Sequence, residues 1–413
     1  MNSWAQVAIP PVAIRFSFPE LNLFDTALKS VHTIAKKDKY RIYVCGITPY
    51  DATHLGHANT YLAFDLINRY LKAMGSEVLF VQNITDIDDP LLERANRDGI
   101  DWRDLATSQI DLFRSDMVAL HILPPDHYIG AVEAMPLVID AITSLESAGT
   151  VYQVKSDYYF KVRSDSDFGR RSHLSESQML EIFSQRGGDP QREGKQDPLD
   201  ALLWLAQRPN EPGWESRYGV GRPGWHIECC AIALGYLDID PRDNTSIDIQ
   251  GGGSDLIFPH HEMSAAQGKA INGKEFAASY IHAGMIGLDG EKMSKSKGNL
   301  VFVSKLLHEG VDPMAIRIAL MSHHYRQDHM WQESDLTAAQ EFLSNLQIAL
   351  SRMEVAPTDG VIDQIISALS QDIDTPRALK SIQSWIIETN KGGSGGKPGE
   401  LSRAIDALLG IAI

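Results

Sequence analysis

The sequence predicts an α/β protein built on a parallel sheet, with an inserted region and a helical C-terminal part. Residues 40–45 and 77–84 are apolar runs of strand length, and the residues between them show helical spacing of apolar side chains. Strand, helix and strand within about 45 residues form a parallel βαβ unit. Residues 164–222 are rich in Gly, Pro, Asp and Arg, and we expect further strands near 246–250 and 278–282.

These patterns divide the chain into five regions. Pro10, Pro11 and Pro19 favour irregular backbone in the first of them. The regions are an N-terminal extension (1–38), the first half of the α/β domain (39–124), an inserted connective region (125–222), the second half of the domain (223–300) and a C-terminal helical bundle (301–413).

Local patterns refine the insertion and the C-terminal region. Residues 126–149 predict mostly helix, and residues 150–162 contain two short strand-like runs. Residues 390–399 are rich in glycine, so we expect a flexible linker there before a last short helix at 401–409.

Composition favours a soluble enzyme. Hydrophobic residues make up 43% of the 413 residues, and no apolar run approaches the roughly 20 residues of a membrane span. The N-terminus lacks a signal-peptide pattern, so we expect a cytoplasmic protein with no membrane partner. The three cysteines suit a reducing compartment, and the net charge of -16 argues weakly against a large nucleic-acid partner.

The first motif is His54-Leu55-Gly56-His57, which directly follows the first β-strand and opens a helix. Two imidazoles at the positive end of a helix dipole could stabilise phosphate charge, and Gly56 allows close approach of a ligand. Metal binding by the pair and a purely structural pair of histidines are the alternatives.

The second motif is Lys292-Met293-Ser294-Lys295-Ser296, within a glycine-containing loop. Lys292 and Lys295 could follow phosphate charge as it develops. The alternative is a solvated charged loop.

The two motifs in this order resemble those of class I aminoacyl-tRNA synthetases. The resemblance implies a Rossmann-like catalytic domain in which an amino-acid carboxylate attacks the α-phosphate of Mg²⁺-ATP, giving an aminoacyl-adenylate and pyrophosphate. His54, His57, Lys292 and Lys295 would then be the catalytic residues, acting by positioning and electrostatic stabilisation.

Three further segments, 43–51, 224–229 and 251–262, resemble those of cysteinyl-tRNA synthetases. The resemblance implies that Cys45, Cys229 and His260 bind one Zn²⁺. Three protein ligands leave the fourth tetrahedral position for the thiolate of substrate cysteine, and serine offers a harder, less acidic ligand. The histidines His226, His54, His57 and His261 are possible substitutes for one of these ligands.

The chain departs from cysteinyl-tRNA synthetases at several points. Ser264 stands where that family commonly has a further glutamate ligand, and Gln250 stands where it often has histidine. Only residues 297–413 follow the second motif, which leaves little for a separate anticodon-binding domain. A truncated cysteinyl-tRNA synthetase is the alternative interpretation, and a zinc-stabilised binding protein without catalysis is a third.

At these points the sequence resembles a related family instead, the cysteine ligases of mycothiol biosynthesis. That family joins L-cysteine to the amine of 1D-myo-inositol 2-amino-2-deoxy-α-D-glucopyranoside (glucosaminyl-inositol) through a cysteinyl-adenylate, releasing AMP and pyrophosphate. The resemblance implies a cytoplasmic monomer with small-molecule substrates and no nucleic-acid partner.

The same resemblance implies roles for further residues. For two of these residues an alternative is open: Thr60 would be an ordinary helix residue, and Thr85 would cap a turn. The implied substrate and adenylate contacts are Cys45, Gly46, Thr48 and Trp225 for the amino acid, Thr60, Asn83 and Thr85 at the adenylate, Gly253, Ser254 and Asp255 at the ribose, and Ile286 at the adenine.

The segment Arg186-Gly187-Gly188-Asp189-Pro190 resembles a signature of the ligase family. We expect Arg186 and Asp189 to help bind the acceptor, with Asp189 contacting its amine. A surface turn built on two glycines and a proline is the alternative.

Overall fold

The computed structural model describes residues 1–51, 53–288, 290–292 and 300–413. Of the predicted catalytic residues, Lys295 lies outside the described residues, and Lys292 is described by its backbone only.

A five-stranded parallel sheet forms the centre of the molecule, in the order β11-β10-β3-β4-β5. Five of the six residues of β3 are buried, as expected for a central strand covered on both faces. The predicted α/β class with a parallel sheet is therefore confirmed. The strands are β1 (Asn22–Asp25), β2 (Ser30–Thr33), β3 (Lys39–Val44), β4 (Glu77–Ile84), β5 (His127–Gly130), β6 (Val151–Val154), β7 (Asp157–Phe160), β8 (Ala201–Ala206), β9 (Gly221–Pro223), β10 (Thr245–Gly253), β11 (Glu275–Ala283), β12 (Ile286–Leu288), β13 (Glu291–Lys292) and β14 (His329–Met330).

Helices cover the sheet and form the C-terminal region. The helix that follows β3 begins after His54 and ends before Gly75, whose positive φ of 92° suits glycine. The helices are α1 (Leu55–Ala73), α2 (Asp89–Asp98), α3 (Trp102–Ala119), α4 (Met135–Ser147), α5 (Glu176–Gln185), α6 (Trp225–Leu237), α7 (Glu262–Asn272), α8 (Val303–His308), α9 (Pro313–Met321), α10 (Glu333–Leu350), α11 (Asp359–Leu369), α12 (Thr375–Asn390) and α13 (Pro398–Leu409).

The inserted residues carry their own antiparallel sheet, β6-β7-β8-β9. The two strand-like runs predicted over 150–162 are confirmed as β6 and β7. The expectation of mostly helix over 126–149 is incomplete, because β5 precedes α4 there and adds the edge strand of the central sheet. Four residues are too few to show a clear strand periodicity.

The first 38 residues are more regular than predicted. β1 and β2 form an antiparallel hairpin, which corrects the expectation of irregular backbone for residues 22–33. Its backbone bonds to the C-terminal helices, since Asn22 N–H donates to the Ser370 carbonyl over 2.9 Å and Asp372 N–H to that of Asn22 over 2.9 Å. The prolines lie upstream of the hairpin, so they do not interrupt it.

One apolar core joins the first half of the sheet to the C-terminal helices. It includes Trp4, residues of α1 such as Leu66, and Ile405 and Ile411 near the other end of the chain. None of the helices in the described ranges combines the length and apolarity that crossing a bilayer would need.

A fully buried ionic group lies inside this core. Asp65 on α1 accepts hydrogen bonds from Arg69 and from Arg317 of α9, and all three side chains have 0% exposure. The two guanidinium groups also donate to backbone carbonyls, including that of Leu409 at the end of α13. The group therefore ties α1, α9 and α13 together.

Candidate metal and adenylate site

Two cysteines and a histidine meet at the carboxyl end of the central sheet. Cys45 directly follows β3, Cys229 lies on α6, and His260 lies between β10 and α7. Their potential ligand atoms all lie within 4.8 Å of one another, and all three residues are buried. The structure thus brings together the three residues predicted to bind a metal ion.

The chemistry of this group fits a metal that prefers sulfur and nitrogen ligands. His260 Nε2 is buried and has no hydrogen-bond partner among the described residues, which leaves its lone pair available. The other ring nitrogen, Nδ1, lies 3.0 Å from His226 Nδ1. With Nδ1 protonated and hydrogen-bonded to His226, His260 would offer the lone pair of Nε2 to a metal ion, an arrangement that orients metal-binding imidazoles.

The two thiols differ in their acid–base properties. Burial raises the pKa of Cys45 well above its usual range, and the hydrogen bond with Cys229 adds to this. The hydrogen bond from Cys45 lowers the pKa of Cys229 well below its usual range. One thiolate is therefore favoured before any metal binds, and the thiolate is the form that binds metal.

His261 is next to this group but is held by other partners. Its Nε2 lies 3.3 Å from Cys45 Sγ and 3.0 Å from Gln250 Nε2, and its Nδ1 lies 2.8 Å from His282 Nε2. His282 Nδ1 in turn lies 2.8 Å from the hydroxyl of Thr26. This chain of contacts places His261 beside the Cys45 sulfur as a hydrogen-bonding neighbour.

Trp225 packs against the metal group, and Thr48 follows Cys45 by three residues. The indole ring of Trp225 stacks on the imidazole of His260, with ring centroids 4.3 Å apart and planes 27° apart. Both Trp225 and Thr48 are half-buried, so each keeps exposed surface beside His260 and Cys45 respectively. Their predicted contact with the amino acid remains a prediction.

Gly46 and Asn83 fix the loop that follows β3. Gly46 N–H donates to Asn83 Oδ1 over 2.8 Å, the Tyr43 hydroxyl donates to the same oxygen over 3.0 Å, and Asn83 Nδ2 donates to Thr85 Oγ1 over 3.2 Å. A Cβ at Gly46 would lie 1.7 Å from the Asn83 carbonyl oxygen, so only glycine fits. Asn83 and Thr85 are fully buried and brace the loop, and contact with an adenylate remains a prediction.

Three residues predicted at the adenylate lie together at the end of β10. A Cβ added to Gly253 would lie 2.6 Å from Asp255 Oδ1 and 3.7 Å from Thr60 Oγ1. Ser254 and Asp255 are half-buried, whereas Ile286 is 1% exposed and packs in the core. Thr60 also donates to the Gly56 carbonyl over 3.2 Å, as a helix residue does.

The first motif caps α1. His54 Nδ1 accepts from Gly56 N–H over 3.1 Å, and the His54 and His57 rings stack with centroids 3.7 Å apart. Leu55 N–H donates to the Val301 carbonyl over 2.9 Å. The first motif therefore lies against the residues that follow the second motif.

The described start of the second motif pairs with the strand that carries Ile286. Lys292 is opposite Gly287 in the antiparallel pairing of β13 with β12. Both predicted phosphate-binding motifs are thus attached to elements that adjoin the end of β10 and β11.

Arg186 and Asp189 already have partners within the protein. Arg186 donates to the carbonyls of Asp255 and Phe258, so it connects the insertion to the segment that leads to His260. Asp189 accepts from the hydroxyl of Tyr159 and from Lys195 Nζ, the latter over 2.9 Å. Both side chains position neighbouring segments, and their contact with an acceptor remains a prediction.

Two acidic residues beside the metal group were not predicted as site residues. Glu228 is 1% exposed, and burial raises its pKa well above the usual range. Burial also raises the pKa of Asp88 to about 6, while the charges of Arg222 and His260 act in the opposite direction. The sequence allows Asp86, Asp88 and Asp89 to form either a metal cluster or a helix cap, and Asp88 does cap α2, since it accepts from Asp89 N–H over 2.8 Å.

Comparisons with known proteins identify the family to which this fold belongs. A family model described as tRNA synthetases class I (C) catalytic domain matches residues 31–341. Mycobacterium tuberculosis methionyl-tRNA synthetase in complex with methionyl-adenylate shares the fold, with a TM-score of 0.65 at 19% identity over 91% of this chain and 89% of that chain. A leucyl-tRNA synthetase of Agrobacterium radiobacter in a ternary complex with tRNA gives 0.61 at 12% identity over 91% and 83%. The chain belongs to the class I aminoacyl-tRNA synthetase catalytic-domain family.

Relatives that match over their whole length identify one family within this class. The L-cysteine:1D-myo-inositol 2-amino-2-deoxy-α-D-glucopyranoside ligase of Thermomonospora curvata is 51% identical over 100% of both chains. Proteins of the same name from Streptomyces coelicolor and Gordonia bronchialis are each 50% identical over 100% of both chains. Within the synthetase class, the chain belongs to the family of these ligases, which confirms the resemblance seen in the sequence.

Proposed function

We propose that this chain uses ATP to join L-cysteine to the amine of glucosaminyl-inositol, through a cysteinyl-adenylate and with release of AMP and pyrophosphate. The observation that carries the proposal is the buried group of Cys45, Cys229 and His260 in a chain about half identical, over its whole length, to ligases of that name. The reaction would be a step of mycothiol biosynthesis, in the cytoplasm, by a monomer that needs no nucleic acid or membrane.

Cys45, Cys229 and His260 would hold one Zn²⁺. The ion supplies an open position that accepts a thiolate. His226 would hold the His260 ring in place through the contact between their Nδ1 atoms. Trp225 would form a wall of the amino-acid site, because it stacks on the His260 ring. Thr48, which follows Cys45 by three residues and is half-buried, would add a polar group to the amino-acid site.

His54, His57, Lys292 and Lys295 would stabilise the phosphates of Mg²⁺-ATP. The cap at the start of α1 places both imidazoles where backbone N–H groups and the helix dipole also favour negative charge. Asp255 would accept hydrogen bonds from the ribose hydroxyls, close to Gly253 and Thr60. Electrostatic stabilisation of the transferred charge is the main catalytic contribution expected of such a site.

The acceptor amine must lose its proton before it attacks the adenylate carbonyl. Arg186 and Asp189 are the predicted acceptor residues, and Arg186 contacts the same segment that carries Asp255. Through that contact the insertion would couple acceptor binding to the adenylate site.

The first experiment offers the purified chain cysteine, Mg²⁺-ATP and zinc with glucosaminyl-inositol or cysteine tRNA, and follows AMP release. We expect AMP only with the amino-sugar, because the chain is 51% identical over its whole length to a ligase named for that acceptor. Charging of tRNA in place of the amino-sugar would refute the proposal in favour of a cysteinyl-tRNA synthetase.

His261 is expected to support metal binding without being a ligand. In His261→Ala, the hydrogen-bonding neighbour of the Cys45 sulfur is removed, and loss of such a partner typically weakens metal affinity about 10- to 100-fold. Competition with a chromophoric chelator measures the affinity. His127→Ala is the control, since His127 lies on the edge strand β5 and its ring contacts Tyr236 at a tilt of 44°. Equal affinities in the two variants would exclude this role.

A further inference from the structure

A cleft lies between the catalytic domain and the insertion, outside the metal and adenylate site. One wall is formed by Asn96, Asp101 and Trp102, at the end of α2 and the start of α3, and the other by Asn210 and Glu211, in the turn between β8 and β9. Its volume is about 380 Å³, within the range of small-molecule sites. We call it the α2–hairpin cleft.

The walls of this cleft suit a neutral ring that carries many hydroxyl groups. Hydroxyls both donate and accept, so they match the amides of Asn96 and Asn210 and the carboxylates of Asp101 and Glu211. The indole of Trp102 offers apolar area for ring carbons, and its position is fixed by Trp214, whose ring centroid is 6.4 Å away. Arg103 also lines the cleft and pairs with Asp101 over 3.5 Å, so the charges of the walls partly balance and suit a ligand without net charge.

A buried arginine connects the cleft to the metal group. Arg222 is 5% exposed and donates both to Glu211 over 3.4 Å and to Asp89 at the start of α2. It precedes Trp225 by three residues, which span at most about 10 Å of extended chain. Trp225 stacks on His260, so the cleft and the site of cysteine activation are neighbours on one strand-to-helix segment.

The acceptor of the proposed reaction has two linked six-membered rings. Its amine is on the sugar ring, which must reach the cysteinyl carbonyl beside Trp225, and the second ring is a cyclitol with hydroxyls as its polar groups.

We propose that the α2–hairpin cleft binds the inositol ring of the acceptor and thereby selects glucosaminyl-inositol over simple amino-sugars. This inference rests on the proposed function and adds a binding site to it. Asn96 and Trp102 would contact the cyclitol, and Arg222 would hold Glu211 in position.

The test compares glucosaminyl-inositol with free glucosamine, which lacks the cyclitol, as acceptors for Asn96→Ala and Trp102→Leu. With AMP release as the readout, we expect kcat/KM for glucosaminyl-inositol to fall about 3- to 10-fold for each variant, the value of one contact of this kind. The values for glucosamine should stay at those of the unmodified protein. Glu93→Ala, an exposed change on the same helix, should alter neither.

The outcomes separate this inference from the proposed function. Cysteine-dependent ATP–pyrophosphate exchange needs no acceptor, and its retention in each variant shows an intact fold and adenylate site. An equal fall for both acceptors, or no fall for glucosaminyl-inositol, would overturn the cleft as the cyclitol site. Failure of the unmodified protein to use glucosaminyl-inositol, with exchange intact, would instead refute the proposed function.

Discussion

Cys229→Ser is expected to lower cysteine-dependent ATP–pyrophosphate exchange by more than about 100-fold, because loss of a direct ligand should exceed the 10- to 100-fold effect of an outer partner. Cys229 is one of the two buried cysteines of the metal group, and a hydroxyl is a far poorer zinc ligand than a thiolate. Exchange assays measure the loss of activity, and elemental analysis of the zinc content per chain measures the loss of the metal.

The neighbouring residue provides a matched control. Cys230 is also fully buried, but it is outside the metal group formed in the described part of the chain, and burial raises its pKa. Cys230→Ser should keep its zinc and its exchange activity, at a stability cost of about 1 kcal/mol. If Cys229→Ser kept a full zinc complement, the assignment of Cys229 as a ligand would be wrong.

Asp65→Asn is expected to lower the free energy of unfolding by about 3–5 kcal/mol, the usual effect of removing one partner from a buried ion group. Burial alone would raise the pKa of Asp65, but Arg69 and Arg317 bring it below its usual range, so the carboxylate is charged. Asparagine keeps the shape and leaves two buried guanidinium groups without their counter-charge. Denaturant unfolding followed by circular dichroism measures the change.

The same substitution at the surface is the control. Asp111 pairs with Arg114 over 3.0 Å, and its side chain is 65% exposed, so Asp111→Asn should cost at most about 1 kcal/mol. Equal stabilities of the two variants would mean that the group formed by Asp65 contributes nothing beyond a surface pair.

The central fold could be predicted because its strands are long and buried. The predicted strand 77–84 coincides with β4, in which residues 78–81 form an apolar run and six of the eight residues are buried. Short elements such as β5 and the N-terminal hairpin were missed, because four residues carry little periodicity and their stability comes from pairing with distant segments.

The glycine-rich run 390–399 shows a second limit. We expected a flexible linker, but Gly396 N–H donates to the Val355 carbonyl over 3.0 Å, and a Cβ at Gly396 would lie 1.9 Å from the Ala356 carbonyl oxygen. Glycine serves both mobile chains and close backbone contacts, and the sequence alone does not distinguish them.

The candidate site was predictable in its inner residues and not in its surroundings. Cys45, Cys229 and His260 stand in segments whose residue types carry the resemblance, and the structure groups them. Thr26 lies in the turn of a hairpin that is far away in sequence, and it joins the site only through its tertiary contact with His282. No local pattern marks such partners.

The way α13 completes the core has a consequence for biosynthesis of the protein. The backbone carbonyl of Leu409 accepts from Arg317, which in turn bonds to Asp65 on the helix of the first motif. The buried charges around α1 therefore gain all of their partners only once residues 398–409 have left the ribosome. The core around the helix of the first motif is therefore completed late in biosynthesis, after the helical region has emerged from the ribosome.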